Sequence, residues 1–152
     1  MSRVLVLYFS SAGMTKKMAE YIAEGVRFSG QEAVVRNMGD IKAAEIAGYD
    51  GYLFGSPTYS QDVPQPVKGF LATAPRAELE GKPGGAFGPY RHDVGYQHDN
   101  YAPAIILQAL QDHGMKPFAL GPFNLREDMV TTRDGIKACQ DYGRVFGEKL
   151  AG

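Results

Sequence analysis

Arg3-Val4-Leu5-Val6-Leu7-Tyr8-Phe9, followed at once by Ser10-Ser11-Ala12-Gly13-Met14-Thr15-Lys16-Lys17, is an apolar run that passes through a small, hydroxyl-rich loop into an amphipathic segment. A strand, a loop and a helix in that order place backbone N–H groups and hydroxyls around the positive end of the helix. That arrangement is an anion site, most often for phosphate. Lys16 and Lys17 stand in the first turn, where cations oppose the helix dipole, and a nearby phosphate would account for them. Solvated surface charge is the plainer alternative for the lysines.

Working outward, the chain alternates apolar runs with helical periods, the pattern of a parallel sheet covered by helices on both faces. Strands are expected near 3–9, 32–37, 51–55, 84–88 and 117–121. The first helix is expected from about Met14 to Phe28, with Met14, Met18, Tyr21, Ile22 and Gly25 at core spacing and Gly30 as its stop. Residues 40–48 are poorly periodic and predict at most a short helix. Further helices are expected near 66–74, 101–114 and 132–150, the last opened by Thr131-x-x-Asp134. At 152 residues, with no repeat or linker, the expectation is one domain over 1–152.

Composition excludes several classes of function. The 16 basic and 17 acidic side chains nearly cancel, so no nucleic-acid or membrane-surface footprint is expected. The single cysteine, Cys139, excludes a disulfide framework within the chain and falls with Ile136, Phe146 and Leu150 on a core stripe. Neither a signal peptide nor an apolar run near the roughly 18 residues of a membrane span is found, which predicts a soluble cytoplasmic protein. No Walker lysine motif or Gly-x-Gly-x-x-Gly fingerprint is present. His92, Asp93, His98 and Asp99 lie together on one long loop, which is a poor basis for a metal site, and none is expected.

Ligands of such sheets sit beyond the carboxyl ends of the strands, so the loops after strands one, three and four should share a site. Gly55-Ser56-Pro57-Thr58-Tyr59-Ser60-Gln61-Asp62-Val63-Pro64-Gln65-Pro66 follows strand three, and an even longer loop follows strand four from Phe87 through Asn100. Loops of this length in a compact domain are usually functional or disordered. Tyr59, Tyr90 and Tyr96 place aromatic rings in them, which suits a flat aromatic ligand unless the rings fold back on their own loops.

Ser10 to Thr15, Gly55-Ser56-Pro57-Thr58-Tyr59 and Gly81-Lys82-Pro83-Gly84-Gly85-Ala86-Phe87-Gly88-Pro89-Tyr90 together resemble the flavodoxin family over nearly the whole chain. The resemblance implies an α/β fold, a doubly wound five-stranded parallel sheet of order 2-1-3-4-5, and a bound FMN. It implies that Ser10, Ser11 and Thr15 hydrogen-bond the phosphate with the amides of Ala12, Gly13 and Met14. Ala12 and Met14 depart from the family's usual Thr and Asn and remove one hydroxyl and one amide. Pro57, Thr58, Tyr59 and Ser60 would lie along one side of the flavin. Gly88, Pro89, Tyr90, Arg91, His92 and Gly95 would lie on the other, with Arg91 and His92 bringing positive charge that favours reduction.

The same segments are similar to the flavodoxin domain of flavodiiron proteins and to flavodoxin-like NAD(P)H:quinone oxidoreductases. Where the latter usually carry a Gly-Gly-Gln-Glu-type stretch, this chain has His98-Asp99-Asn100-Tyr101. The resemblance therefore implies an electron carrier between a reductase and an acceptor, with a quinone reductase as the alternative and homo-oligomerisation left open. A receiver-like domain without cofactor is disfavoured, because Ser10 and Ser11 stand where its acidic pair would be.

Overall fold

The computed structural model describes residues 1–10, 13–58, 63–91 and 101–152. Its elements, in chain order, begin with β1 (Arg3–Tyr8), α1 (Met14–Phe28), β2 (Glu32–Asn37) and two single 3-10 turns at Met38–Asp40 and Ala43–Ile46. There follow β3 (Gly51–Gly55), α2 (Gln65–Thr73), α3 (Arg76–Leu79), β4 (Pro83–Tyr90) and α4 (Ala102–Asp112). The chain finishes with β5 (Lys116–Pro117), β6 (Phe123–Arg126), a 3-10 turn at Glu127–Met129 and α5 (Arg133–Ala151).

All strand pairs are parallel, and the sheet runs β2-β1-β3-β4-β5, with β6 also pairing β4. The continuous apolar run of β1 follows from burial on both faces. Its odd residues Leu5 and Leu7 join Tyr52, Phe54 and Ala86 under α2 and α4. Its even residues Val4, Val6 and Tyr8 join Leu53 and Phe87 under α1 and α5. Successive side chains of a strand point to opposite faces, so one stretch of sequence supplies both cores.

The expected fifth strand at 117–121 is corrected to two pieces. Phe118 is buried among the α5 aromatics, with ring centroids 5.3 Å from Tyr142 and 5.0 Å from Phe146. The chain then turns, with the Gly121 amide donating to the Phe118 carbonyl at 2.9 Å. Pro122 has no N–H to continue a ladder, and pairing to β4 resumes only at Phe123. The cap of the last helix also shifts by one residue from the expected Thr131. Thr132 is the N-cap, its side-chain oxygen accepting from the Gly135 amide at 3.1 Å.

Gly30 ends α1 as expected, at φ 90°, with its amide donating to the Arg27 carbonyl at 2.9 Å. Among the described residues, no helix is long and apolar enough to cross a membrane.

Candidate functional site at the carboxyl rim of the sheet

The backbone ladder extends past the strand ends and ties the rim together. Phe9 donates to the Gly55 carbonyl at 2.9 Å, and Ser56 donates to the Phe87 carbonyl at 3.1 Å. On the far side Gly88 pairs with Asn124 and Tyr90 with Arg126. The exits of β1, β3, β4 and β6 therefore form one continuous edge, the place where an open parallel sheet binds ligands. Ser56 is fully buried within it.

The N-termini of α1 and α4 both lie at this edge, and they differ. The start of α4 is closed. The Ala102 amide donates to Thr58 Oγ1 at 2.9 Å, Pro103 has no N–H, and the Ala104 and Ile105 amides both donate to the Tyr101 carbonyl, at 3.1 and 3.3 Å. The start of α1 is open. Gly13 caps it at φ 90°, its own amide donating to Ser10 Oγ at 2.9 Å, and the helical ladder begins only with Lys17 donating to the Gly13 carbonyl at 3.1 Å. Among the described residues nothing accepts from the amides of Met14, Thr15 or Lys16, and no acidic side chain stands in the first turn. Unpaired first-turn amides at the positive end of a helix suit an anion. Among the described residues, a Cβ placed on Gly13 would meet nothing within 4 Å.

Gly88 has the opposite surroundings. A Cβ there would lie 1.9 Å from the Ser56 carbonyl oxygen, so the ends of β3 and β4 approach in a way only glycine permits. Pro57 and Thr58 are half-buried, Pro89 is buried, and Thr15 is only 2% exposed beneath the first loop.

Tyr90 does not stand alone. Its ring stacks on that of Tyr101, with centroids 4.8 Å apart and planes at 27°, so one of its faces is engaged by the chain itself. Arg91 pairs with Glu127 at 3.0 Å, the arginine side chain 72% exposed and the glutamate 28%. The positive charge foreseen beside the ligand is thus largely offset by its neighbour. Arg126 likewise grips Asp128 at 2.7 and 3.1 Å, and this guanidinium holds the Asp128 carboxyl below its ordinary range.

Of the residues singled out in the sequence, Ser10, Gly13, Met14, Thr15, Pro57, Thr58, Gly88, Pro89, Tyr90 and Arg91 all lie on or directly beside this rim. Ser11, Ala12, Tyr59, Ser60, His92 and Gly95 fall outside the described residues. Three rim residues escaped sequence reasoning. Tyr101 and Glu127 act through tertiary partners that spacing does not reveal. Asn124 sits on β6, a strand the sequence did not show, and its Oδ1 is buried without a hydrogen-bond partner among the described residues. Since Phe123 and Leu125 pack toward α1 and α5, Asn124 faces the α4 side, as does its register partner Gly88. A buried amide oxygen of this kind calls for a donor.

The rim fits FMN on these observations: an open helix start for a phosphate, aromatic rings on the same rim at the exit of β4, and an acceptor still lacking its donor among the described residues.

The chain is similar to known proteins over nearly its whole length. A family model described as a flavodoxin domain matches residues 5–92. A flavodoxin from Clostridium saccharobutylicum is 28% identical, covering 98% of this chain and 95% of its own length. An NAD(P)H dehydrogenase (quinone) from Acidovorax ebreus is 32% identical, covering 94% of this chain and 81% of its own length. Among solved structures, a flavodoxin from the domain Archaea superposes with a TM-score of 0.83 at 26% identity, covering 99% of both chains. With the family model spanning more than half the sequence and the sheet order in agreement, the chain belongs to the flavodoxin family.

Proposed function

We propose that residues 1–152 form a single flavodoxin-like domain that binds FMN without a covalent link and carries electrons between a reductase and an acceptor. The observation that carries this reading is the uncapped start of α1, open at Gly13 and placed on the same rim as Tyr90 and the Thr58 loop. Bound FMN supplies reversible uptake of one or two electrons, and the protein supplies position and electrostatics.

Each residue then has a limited task. Ser10, whose oxygen already accepts from the Gly13 amide, keeps its O–H to donate to a phosphate oxygen. Ser11 and Thr15 add hydroxyls, and the amides of Ala12 and Met14 line the anion; the Gly13 amide, expected from the sequence to join them, is instead taken by Ser10 Oγ. An anion here gains about 0.3–1 kcal/mol from the helix dipole when exposed and up to about 2 when partly buried, before its hydrogen bonds are counted. Pro57, Thr58, Tyr59 and Ser60 flank the ring on one side. Gly88, Pro89, Tyr90, Arg91, His92 and Gly95 flank it on the other, where they exclude water from its reactive edge.

Direct reduction of a quinone by NAD(P)H is the second reading, supported by the quinone dehydrogenase relatives at 27–32% identity. Steady-state oxidation of NADPH with a quinone, by the purified FMN-loaded protein alone, separates the two. The carrier reading predicts no turnover above background until a separate reductase is added. Sustained turnover by the protein alone would replace it with the enzyme.

A further inference from the structure

The exits of β3 and β4 meet at one place. Tyr101, 1% exposed, stands immediately before α4 with its ring against Tyr90, the last residue of β4. One residue further on, the Ala102 amide donates to Thr58 Oγ1 in the loop after β3. The helix start that joins these contacts is itself packed and bonded. Ala102 and Pro103 are buried, both Ala104 and Ile105 donate back to the Tyr101 carbonyl, and Pro103 Cγ comes within 3.5 Å of where a Cβ on Gly88 would lie.

We propose that Tyr101 is a positioning residue for the flavin. Resting on the FMN reading above, it acts through Tyr90: stacking fixes the tilt of that ring, and the first turn of α4 links it to the Thr58 loop. Thr58 at the exit of β3 and Tyr90 at the exit of β4 thereby meet the ligand as one unit. The hydroxyl of Thr58 has a definite place in this unit, because it satisfies a first-turn amide that the helix itself leaves unpaired.

The consequence is coupling. Tyr101→Leu keeps bulk and removes the flat face, Tyr101→Phe keeps the face, and Thr58→Val keeps the shape but removes the acceptor for Ala102. Stacked aromatic pairs and single hydrogen bonds each contribute enough to alter an affinity by about 3- to 10-fold. Titration with FMN, read by quenching of flavin fluorescence, should show both Tyr101→Leu and Thr58→Val weakened by about that factor, with Tyr101→Phe restoring wild-type affinity. The midpoint potentials of the loaded Tyr101→Leu protein should shift as well. The double variant should lose less than the product of the single losses, because both changes loosen the same unit.

A lower melting temperature with unchanged FMN affinity and unchanged midpoints would make Tyr101 merely a core residue and overturn the proposal. Multiplicative losses in the double variant would also overturn it. Should Tyr101→Leu fail to fold, Thr58→Val decides alone, unchanged affinity counting against the coupling. A wild-type protein that binds no FMN would instead remove the functional reading itself, and this inference with it.

Discussion

Gly88→Ala is the sharpest probe of how the rim is built. A Cβ at this position would sit 1.9 Å from the Ser56 carbonyl oxygen and 3.0 Å from its carbon. Ordinary carbon–oxygen approaches are about 3.3–3.6 Å, so one backbone must retreat by roughly 1.5 Å. Neither has room to do so freely. Ser56 is fully buried, its amide donates to the Phe87 carbonyl at 3.1 Å, and Pro103 covers the same side of the strand. Overpacking of this kind costs about 1–3 kcal/mol, and loosening the Ser56 hydrogen bond adds about 0.5–1.5. A loss of about 2–4 kcal/mol is expected, equivalent to roughly 5–15 °C in melting temperature for a domain of this size.

Gly13→Ala supplies the control. There a Cβ meets nothing within 4 Å, but φ is 90°, and the left-handed backbone costs about 1–2 kcal/mol. Urea unfolding of the flavin-free protein, followed by circular dichroism, should rank wild type above Gly13→Ala and Gly13→Ala above Gly88→Ala, with similar slopes. Gly88→Ala as stable as Gly13→Ala would refute the close approach of β3 and β4 at the rim.

The Arg91–Glu127 pair makes a prediction of sign: since reduced flavin is an anion, Glu127→Gln should raise the midpoint potential and Arg91→Ala should lower it. One charge about 10 Å away in partly solvated surroundings is worth about 20–40 mV, fading with salt, and shifts of the same sign would reject the pairing in spectroelectrochemical titrations. Thr132→Ala should destabilise the protein by about 1 kcal/mol through loss of the α5 cap, whereas exposed Thr131→Ala should change the urea midpoint little. Burial pushes the Cys139 thiol up to about 12, so the unfolded chain releases this proton first as pH rises past about 9. Stability is then fully retained below pH 9 and falls by up to about 1.4 kcal/mol per pH unit above it. Cys139→Ala should flatten that slope in denaturant titrations between pH 9 and 10, and Tyr142, whose hydroxyl is also pushed up by burial, adds its own decline above that range.

The strands and long helices were legible because burial on both faces leaves uninterrupted apolar runs, as in Val4 to Tyr8, and because the face of α1 repeats at helical spacing. What the sequence concealed was set by tertiary contacts. The run from Pro117 to Gly121 reads as strand, yet the ladder ends where the Phe118 amide donates to the Gly84 carbonyl at 2.8 Å, the chain turns back at Gly121, and pairing resumes only beyond Pro122. Adjacent threonines made the α5 cap ambiguous by one residue, and only the bond to Gly135 settles it. At the site, the order of β1, loop and α1 could be read from a local strand–loop–helix signal. The Tyr90–Tyr101 stack, the Thr58–Ala102 bond and the Arg91–Glu127 pair join residues 11 to 44 positions apart in the chain, and no periodicity encodes them.

Paired titrations of the flavin-free protein with FMN and with riboflavin show whether the open start of α1 grips a phosphate. The two ligands share their ring and differ in the phosphate alone. FMN should bind at least about 100-fold more tightly, the combined effect of the helix dipole and charge-assisted hydrogen bonds from Ser10 and the first-turn amides. Equal affinities, or no binding of either, would contradict it.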